Sequence, residues 1–273
     1  MWAVLGFCVV SGLALVVALR HVRGTQPRLG NQPWVLTDVA RLHVPIMAGL
    51  SGFAITGLVL IATLTRERQA TTEAFDTVVV MFLIAYLFYI GNAFLISYLP
   101  HEDRTDDHVP RIHFSLASTI EYRCVFISWF ALRPLVDVYG LDRPADVLAV
   151  LLPASLVLGS TIVAMAADGF GVIRVAETYL AAAVGMGATL LYAAVIWLFL
   201  PEARSPESAL WLAVVVFGIN TIGFATAALT PLAARYAGMN RFYQRHGRAL
   251  VVADMQLTMV ALPFLWLAVV GAI

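Results

Sequence analysis

Glu121 and Arg123 stand two residues apart inside an apolar run, His113-Phe-Ser-Leu-Ala-Ser-Thr-Ile-Glu121-Tyr122-Arg123-Cys124-Val-Phe-Ile-Ser128-Trp129. If that run is a helix crossing a membrane, a charge near its centre costs on the order of 2.5–3.5 kcal/mol to insert, so each must find a partner. Residues two apart on a helix diverge by roughly 200° and do not face each other. Glu121 shares a face with Cys124 and Ser128, and Arg123 with Thr119 and Ile127, so each charge needs a partner from a different helix. Two chemistries fit. A titrating carboxylate near a permanently charged guanidinium can form a site for a proton, an ion or a small solute. A buried pair such as Arg123–Asp254 can equally serve only to neutralise the guanidinium and hold two helices together.

Candidate partners recur at similar depth in other apolar runs. Asn92, Asp254 and Gln256 fall in the same half, His43 and Glu177 near the starts of their runs, and Asn220 nearer the middle. The opposite half is almost wholly apolar. This asymmetry predicts a polar, hydrated cavity open to the cytoplasm and closed outward by Leu, Val, Phe and Trp. The site residues expected to line it are Glu121, Arg123, Asp254, Asn92, Gln256 and His43. A second concentration of donors lies at 100–113, where His101, His108 and His113 accompany Glu102, Asp103, Asp106 and Asp107. Imidazole and carboxylate suit a divalent metal such as zinc, but this spacing matches no ligand template. A solvated acidic hairpin accounts for it as well.

Eight apolar stretches must position these residues: 2–19, 43–64, 77–99, 113–133, 147–167, 176–200, 208–232 and 249–272. Each has the roughly 17–25 residues needed to cross a hydrocarbon layer of ~30 Å. The 273-residue chain is 61% hydrophobic and 12% charged, about half the charged fraction of a soluble domain. The expected fold is an all-α polytopic membrane bundle of eight spans forming a single domain over 1–273, with no soluble domain. Seven spans is the alternative, dropping the first. The N-terminus is apolar from residue 2 without a basic leader, so 2–19 reads as a retained helix.

Arginine placement orients the bundle. Arg20, Arg23, Arg28, Arg41, Arg104, Arg111, Arg174, Arg235, Arg241, Arg245 and Arg248 fall in odd-numbered connectors or at their edges. Only Arg66, Arg68, Arg133, Arg143 and Arg204 fall in even ones. Excess Arg marks the cytoplasmic side, which predicts a protein of the plasma (cytoplasmic) membrane with both termini outside. Trp2, Trp129, Trp197, Trp211 and Trp266 all lie near the outer ends, as expected of headgroup-level anchors. Ala48/Gly52/Thr56, Ala181/Gly185/Thr189 and Gly223/Ala227 repeat at four-residue spacing, which lets helices approach closely. The Arg-rich connectors 20–42 and 233–248 read as interfacial segments against lipid headgroups, or as docking points for a protein partner. A net charge of zero gives no hint of nucleic acid. Cys8 and Cys124 are isolated and read as packing residues.

The chain contains no lysine, so it cannot form a Schiff base. HExxH, GxSxG and Gly-rich phosphate loops are missing too. An intramembrane enzyme using His43, His113 or the 100–112 connector is a third reading. Glu121-Tyr122, Asn220-Thr221 and Gly247-Arg248 carry a resemblance to the microbial rhodopsins, most of all to the heliorhodopsin branch. The second to eighth stretches would then be the seven opsin helices, the first of which starts in the cytoplasm in heliorhodopsins, as the arginines also indicate. The resemblance implies that Glu121 occupies the counterion position. The chain departs from the family where the retinal lysine would fall, near Thr258, and in its extra N-terminal stretch. Covalent retinal is therefore excluded and no cofactor is expected. The leading expectation for function is a small-solute or ion transporter. The alternative is a non-catalytic membrane sensor, scaffold or subunit with an opsin-like fold.

Overall fold

The computed structural model describes residues 36–68, 73–98, 108–138, 206–233 and 236–271, with isolated residues at 9–16, 143–156 and 187. Six helices follow in order: α1 Leu36–Arg68, α2 Glu73–Ser97, α3 His108–Val138, α4 Pro206–Ala228, α5 Thr230–Ala233 and α6 Ala237–Gly271. Every described element is helical. Long apolar runs leave no water to satisfy backbone groups, and a helix satisfies them within itself. Among the described residues four stretches are long and apolar enough to cross a membrane: Asp38–Thr63, Phe75–Ser97, Ala209–Ala233 and Ala237–Val269. The expected stretches 2–19, 147–167 and 176–200 lie outside the described residues, apart from isolated positions.

The surface is inverted relative to that of a water-soluble bundle. Ile222 is 70% exposed and Leu42, Phe94 and Val59 are nearly as open, whereas Asn92, Arg123, Asn220 and Thr258 are fully buried. Such a distribution costs too much in water and suits a lipid surround.

α3 is the axis of the described bundle, packing against α1, α2, α4, α5 and α6. It is also the helix whose charged residues keep it from qualifying as a span on apolar composition. The two facts have one cause. A helix carrying Arg111, Glu121, Arg123 and Arg133 must be enclosed by others, because lipid offers its charges nothing. Two apolar clusters flank the charged level. One joins Phe82, Phe88, Phe126, Phe130, Val260 and Trp266; the other joins Ile96, Ile112, Phe114, Val251 and Met255.

Several sequence-based expectations need correction. The 233–248 segment is not a loop between helices: α6 begins at Ala237 and runs unbroken through it into the last apolar stretch. α3 extends past both ends of 113–133 and takes in Pro134, because apolar length reports the lipid slab and not where hydrogen bonding ends. Trp266 is buried and stacks on Phe130 at 5.1 Å between ring centroids, so it packs the interior and does not anchor in headgroups. Ala48, Gly52 and Thr56 face outward on α1, and a Cβ at Gly52 would meet nothing within 4 Å. That stripe makes no close approach to another described helix.

Candidate functional site

Arg123 sits on the buried face of α3 and reaches two other helices. Its Nε donates to Asn220 Oδ1 on α4 at 2.5 Å. Its Nη1 donates to Asp254 Oδ1 on α6 at 2.8 Å and to Thr258 Oγ1, one turn further along α6, at 2.6 Å. The Thr258 hydroxyl in turn donates to the Asp254 carbonyl at 2.7 Å. One side chain thus ties three helices. Gly223 on α4 makes the room: a Cβ there would lie 3.0 Å from Arg123 Nη2 and 3.1 Å from Asp254 Oδ1. Gly223 therefore admits a guanidinium, a use the four-residue spacing did not reveal. Arg123 Nη2 and Asp254 Oδ2 are buried without a hydrogen-bond partner among the described residues.

Glu121 turns the other way, as its position two residues earlier requires. Its Oε2 lies 2.6 Å from His43 Nδ1 on α1. The His43 ring also meets Phe114 edge-on, with centroids 5.2 Å apart. The side chains of His43 and Glu121 are 26% and 14% exposed, in contrast to 0% for Arg123. The two charges on α3 thus belong to separate networks, one closed and one reachable from outside the bundle.

A partly exposed pair is worth less than a buried one, although hydrogen bonding to an ionised group raises it above a simple surface contact. We expect His43→Ala, Glu121→Gln and their double variant to give a coupling energy of about 1–2 kcal/mol in detergent unfolding. Additive losses would show that the contact carries no energy.

The remaining expected site residues are not gathered into one cavity. Asn92 is buried on α2, where its amide donates to the Ala117 carbonyl of α3 at 2.9 Å and lies 3.9 Å from Met47 Sδ. Gln256 is buried on α6, and neither its amide nitrogen nor its oxygen has a partner among the described residues. His113 bridges to the Leu95 carbonyl (3.1 Å) and to the Thr230 hydroxyl, which commits both ring nitrogens. It is a clasp between α2, α3 and α5, not a metal ligand. His101 lies outside the described residues, as does the His108 side chain. Among the described residues no three metal-ligating side chains converge.

The open, wet cavity expected in the cytoplasmic half is not seen within the described bundle. Beside the Arg123 network, Tyr122, Leu156, Thr258, Met259, Leu262 and Pro263 line a partly open cleft of about 10 Å³. That is at the lower limit for a single water. The Tyr122 hydroxyl is satisfied by the Leu156 carbonyl at 2.9 Å. Aromatic contacts pack α3 beyond this level: Tyr122 on Phe126, Phe126 on Phe130, and Phe130 on Trp266.

Sequence reasoning named Arg123, Asp254, Asn220, Glu121 and His43 but missed Thr258 and Gly223 as members of the network. Thr258 lies one helical turn from Asp254, and that spacing could have suggested that both contact the same partner. No family model matches the chain, and comparison with curated proteins and solved structures likewise gives no match.

Proposed function

We propose that this chain is an eight-span protein of the cytoplasmic membrane that acts as a non-catalytic sensor, scaffold or subunit. Its bundle is opsin-like and has no covalent chromophore. The observation that carries this reading is the state of Arg123: fully buried, with its charge answered by Asp254 and its Nε and Nη1 donors engaged by Asn220, Asp254 and Thr258. A site that takes up and releases a substrate needs room and unanswered charge. Here the charge is matched from within, and the cleft beside Thr258 holds about 10 Å³. Covalent retinal is excluded because the chain has no lysine, and Thr258, near which the retinal lysine would fall, is bonded to Arg123.

The excess of arginine in odd-numbered connectors supports cytoplasmic placement of α1's start and of the α6 N-terminus, with both chain ends outside. The Arg-rich connector 20–42 is the remaining candidate for docking a protein partner.

One observation favours a second reading, a small-solute or ion transporter. The His43–Glu121 pair is titratable and partly exposed, as a coupling site would be. The two readings diverge in a flux assay. The full chain is reconstituted into liposomes holding pH- and cation-sensitive dyes, and proton, sodium, potassium and chloride gradients are imposed. The sensor or scaffold reading predicts leak no faster than in empty liposomes. Flux above that level, lost in Glu121→Gln, overturns it in favour of transport.

A further inference from the structure

We propose that the N-terminal third of α6 is a binding surface for anionic phospholipid headgroups. The argument begins with length. α6 has 35 residues, so it extends about 52 Å, whereas the hydrocarbon layer is ~30 Å thick. If the apolar part from Ala249 onward fills the hydrocarbon, Arg241 to Arg248 occupy roughly the next 12 Å, the depth of headgroups and phosphates.

The side chains at that depth divide by face. Tyr243 and Gly247 are buried against the bundle, and Gly247 lies so close to Ile112 that a Cβ there would collide with its side chain. This contact pins the segment to α3 and fixes which side looks out. The outward side presents Arg241, Phe242, Arg245 and His246, all exposed and all within one stripe of the helix. Residues 237–253 contain no Asp or Glu. Among the described residues neither Arg241 nor Arg245 meets a carboxylate. Arg241 Nε reaches only its own helix, at the Ala237 carbonyl, 3.4 Å away.

Two outward guanidiniums one turn apart, with no acid among the described residues to answer them, fit phosphate oxygens, which arginine binds through two parallel N–H groups. Phe242 is 47% exposed and its ring stacks on His246 with centroids 5.1 Å apart, so an apolar body lies beside the two charges. A lipid supplies both an anionic head and an apolar glycerol-acyl boundary. A free anion would use only the guanidiniums, and a soluble acidic protein would find this stripe sunk among headgroups. The inference needs α6 to cross the membrane and is independent of whether the protein senses or transports.

The test titrates the full chain in neutral detergent with short-chain phosphatidylglycerol, with phosphatidylcholine of the same chain length, and with inorganic phosphate. The wild-type chain should bind phosphatidylglycerol at least tenfold more tightly than either alternative. Each arginine near an anionic surface contributes a factor of about five, so the double variant Arg241→Gln/Arg245→Gln should bind roughly 10- to 30-fold more weakly. Arg143→Gln, which removes an exposed arginine from an even-numbered connector on the opposite side of the bundle, should leave binding unchanged. Phe242→Ser should reduce lipid binding without changing the response to inorganic phosphate. Each variant must elute and unfold as the wild type does, which the outward position of all four residues favours. Equal affinity for the two lipids, equal loss in Arg143→Gln, or inorganic phosphate binding as tightly as phosphatidylglycerol would each overturn the proposal.

Discussion

Replacing Arg123 with Leu is expected to destabilise the folded bundle by about 3–5 kcal/mol, the usual cost of removing one partner from a buried ion pair. The loss comes less from the missing attraction than from what stays behind. Asp254 would remain on α6 with no cation, and the Asn220 oxygen and Thr258 hydroxyl would each lose their guanidinium contact. Asp254→Asn should cost less, because a neutral amide can still accept from Nη1 while Arg123 loses its counter-charge. The informative variant is the double, Arg123→Leu/Asp254→Leu, which removes both charges. It should recover at least 2 kcal/mol relative to the sum of the single losses, since no orphaned charge remains. Unfolding of the purified chain by heat or added denaturing detergent, followed by circular dichroism, reads all of these. Strictly additive losses would mean that Arg123 and Asp254 are neighbours without being partners.

Gly223→Val should be the next most damaging change, at about 2–3 kcal/mol, although it alters neither charge nor hydrogen-bonding capacity. A Cβ at 223 falls 3.0 Å from Arg123 Nη2 and 3.1 Å from Asp254 Oδ1, and valine adds two further methyl groups. Overpacking a tight interior costs about 1–3 kcal/mol, and here the atoms that must yield form the ion pair itself. Gly218 on the same helix is the control, since a Cβ there meets nothing within 4 Å. Gly218→Ala should be neutral or stabilise slightly, as alanine is the better helix former. In an Arg123→Leu background the Gly223→Val penalty should shrink, because the displaced guanidinium is gone. An unchanged penalty would show that the glycine serves backbone packing and not the network.

The chain announces its membrane nature through the length of its apolar runs, and the centrality of α3 follows from one argument. Two charges on opposite faces of one helix cannot both be answered by a single neighbour, so that helix must be surrounded. The separate partners of Glu121 and Arg123 confirm the helical angle on which that argument rests. The pairing of His43 with Glu121 was less legible. Hydropathy put His43 at the edge of its run, whereas α1 starts at Leu36 and carries the imidazole two turns inside the helix. The same blindness hid the long α6. A polar stretch such as Arg241-Phe-Tyr-Gln-Arg-His246 lowers hydropathy but breaks no helix, because its backbone bonds remain internal whatever the side chains face. Small residues misled in both directions. Gly223 clears space for a side chain, and Gly52 faces away from every described helix, yet both sit in the same four-residue pattern. Spacing alone cannot say what lies opposite a gap.

A thiol placed inside the Arg123 network reports whether that network is closed to water. Thr258 is fully buried and borders both the guanidinium and the small cavity. Thr258→Cys is a nearly volume-neutral change. In a Cys8→Ser background, with the chain folded in liposomes, a membrane-impermeant thiol reagent should leave the introduced thiol unmodified. The same reagent should label Gln244→Cys, on the exposed face of α6. Rapid labelling at position 258 in the folded protein would mean that water reaches the guanidinium, and the closed-lock account would be contradicted.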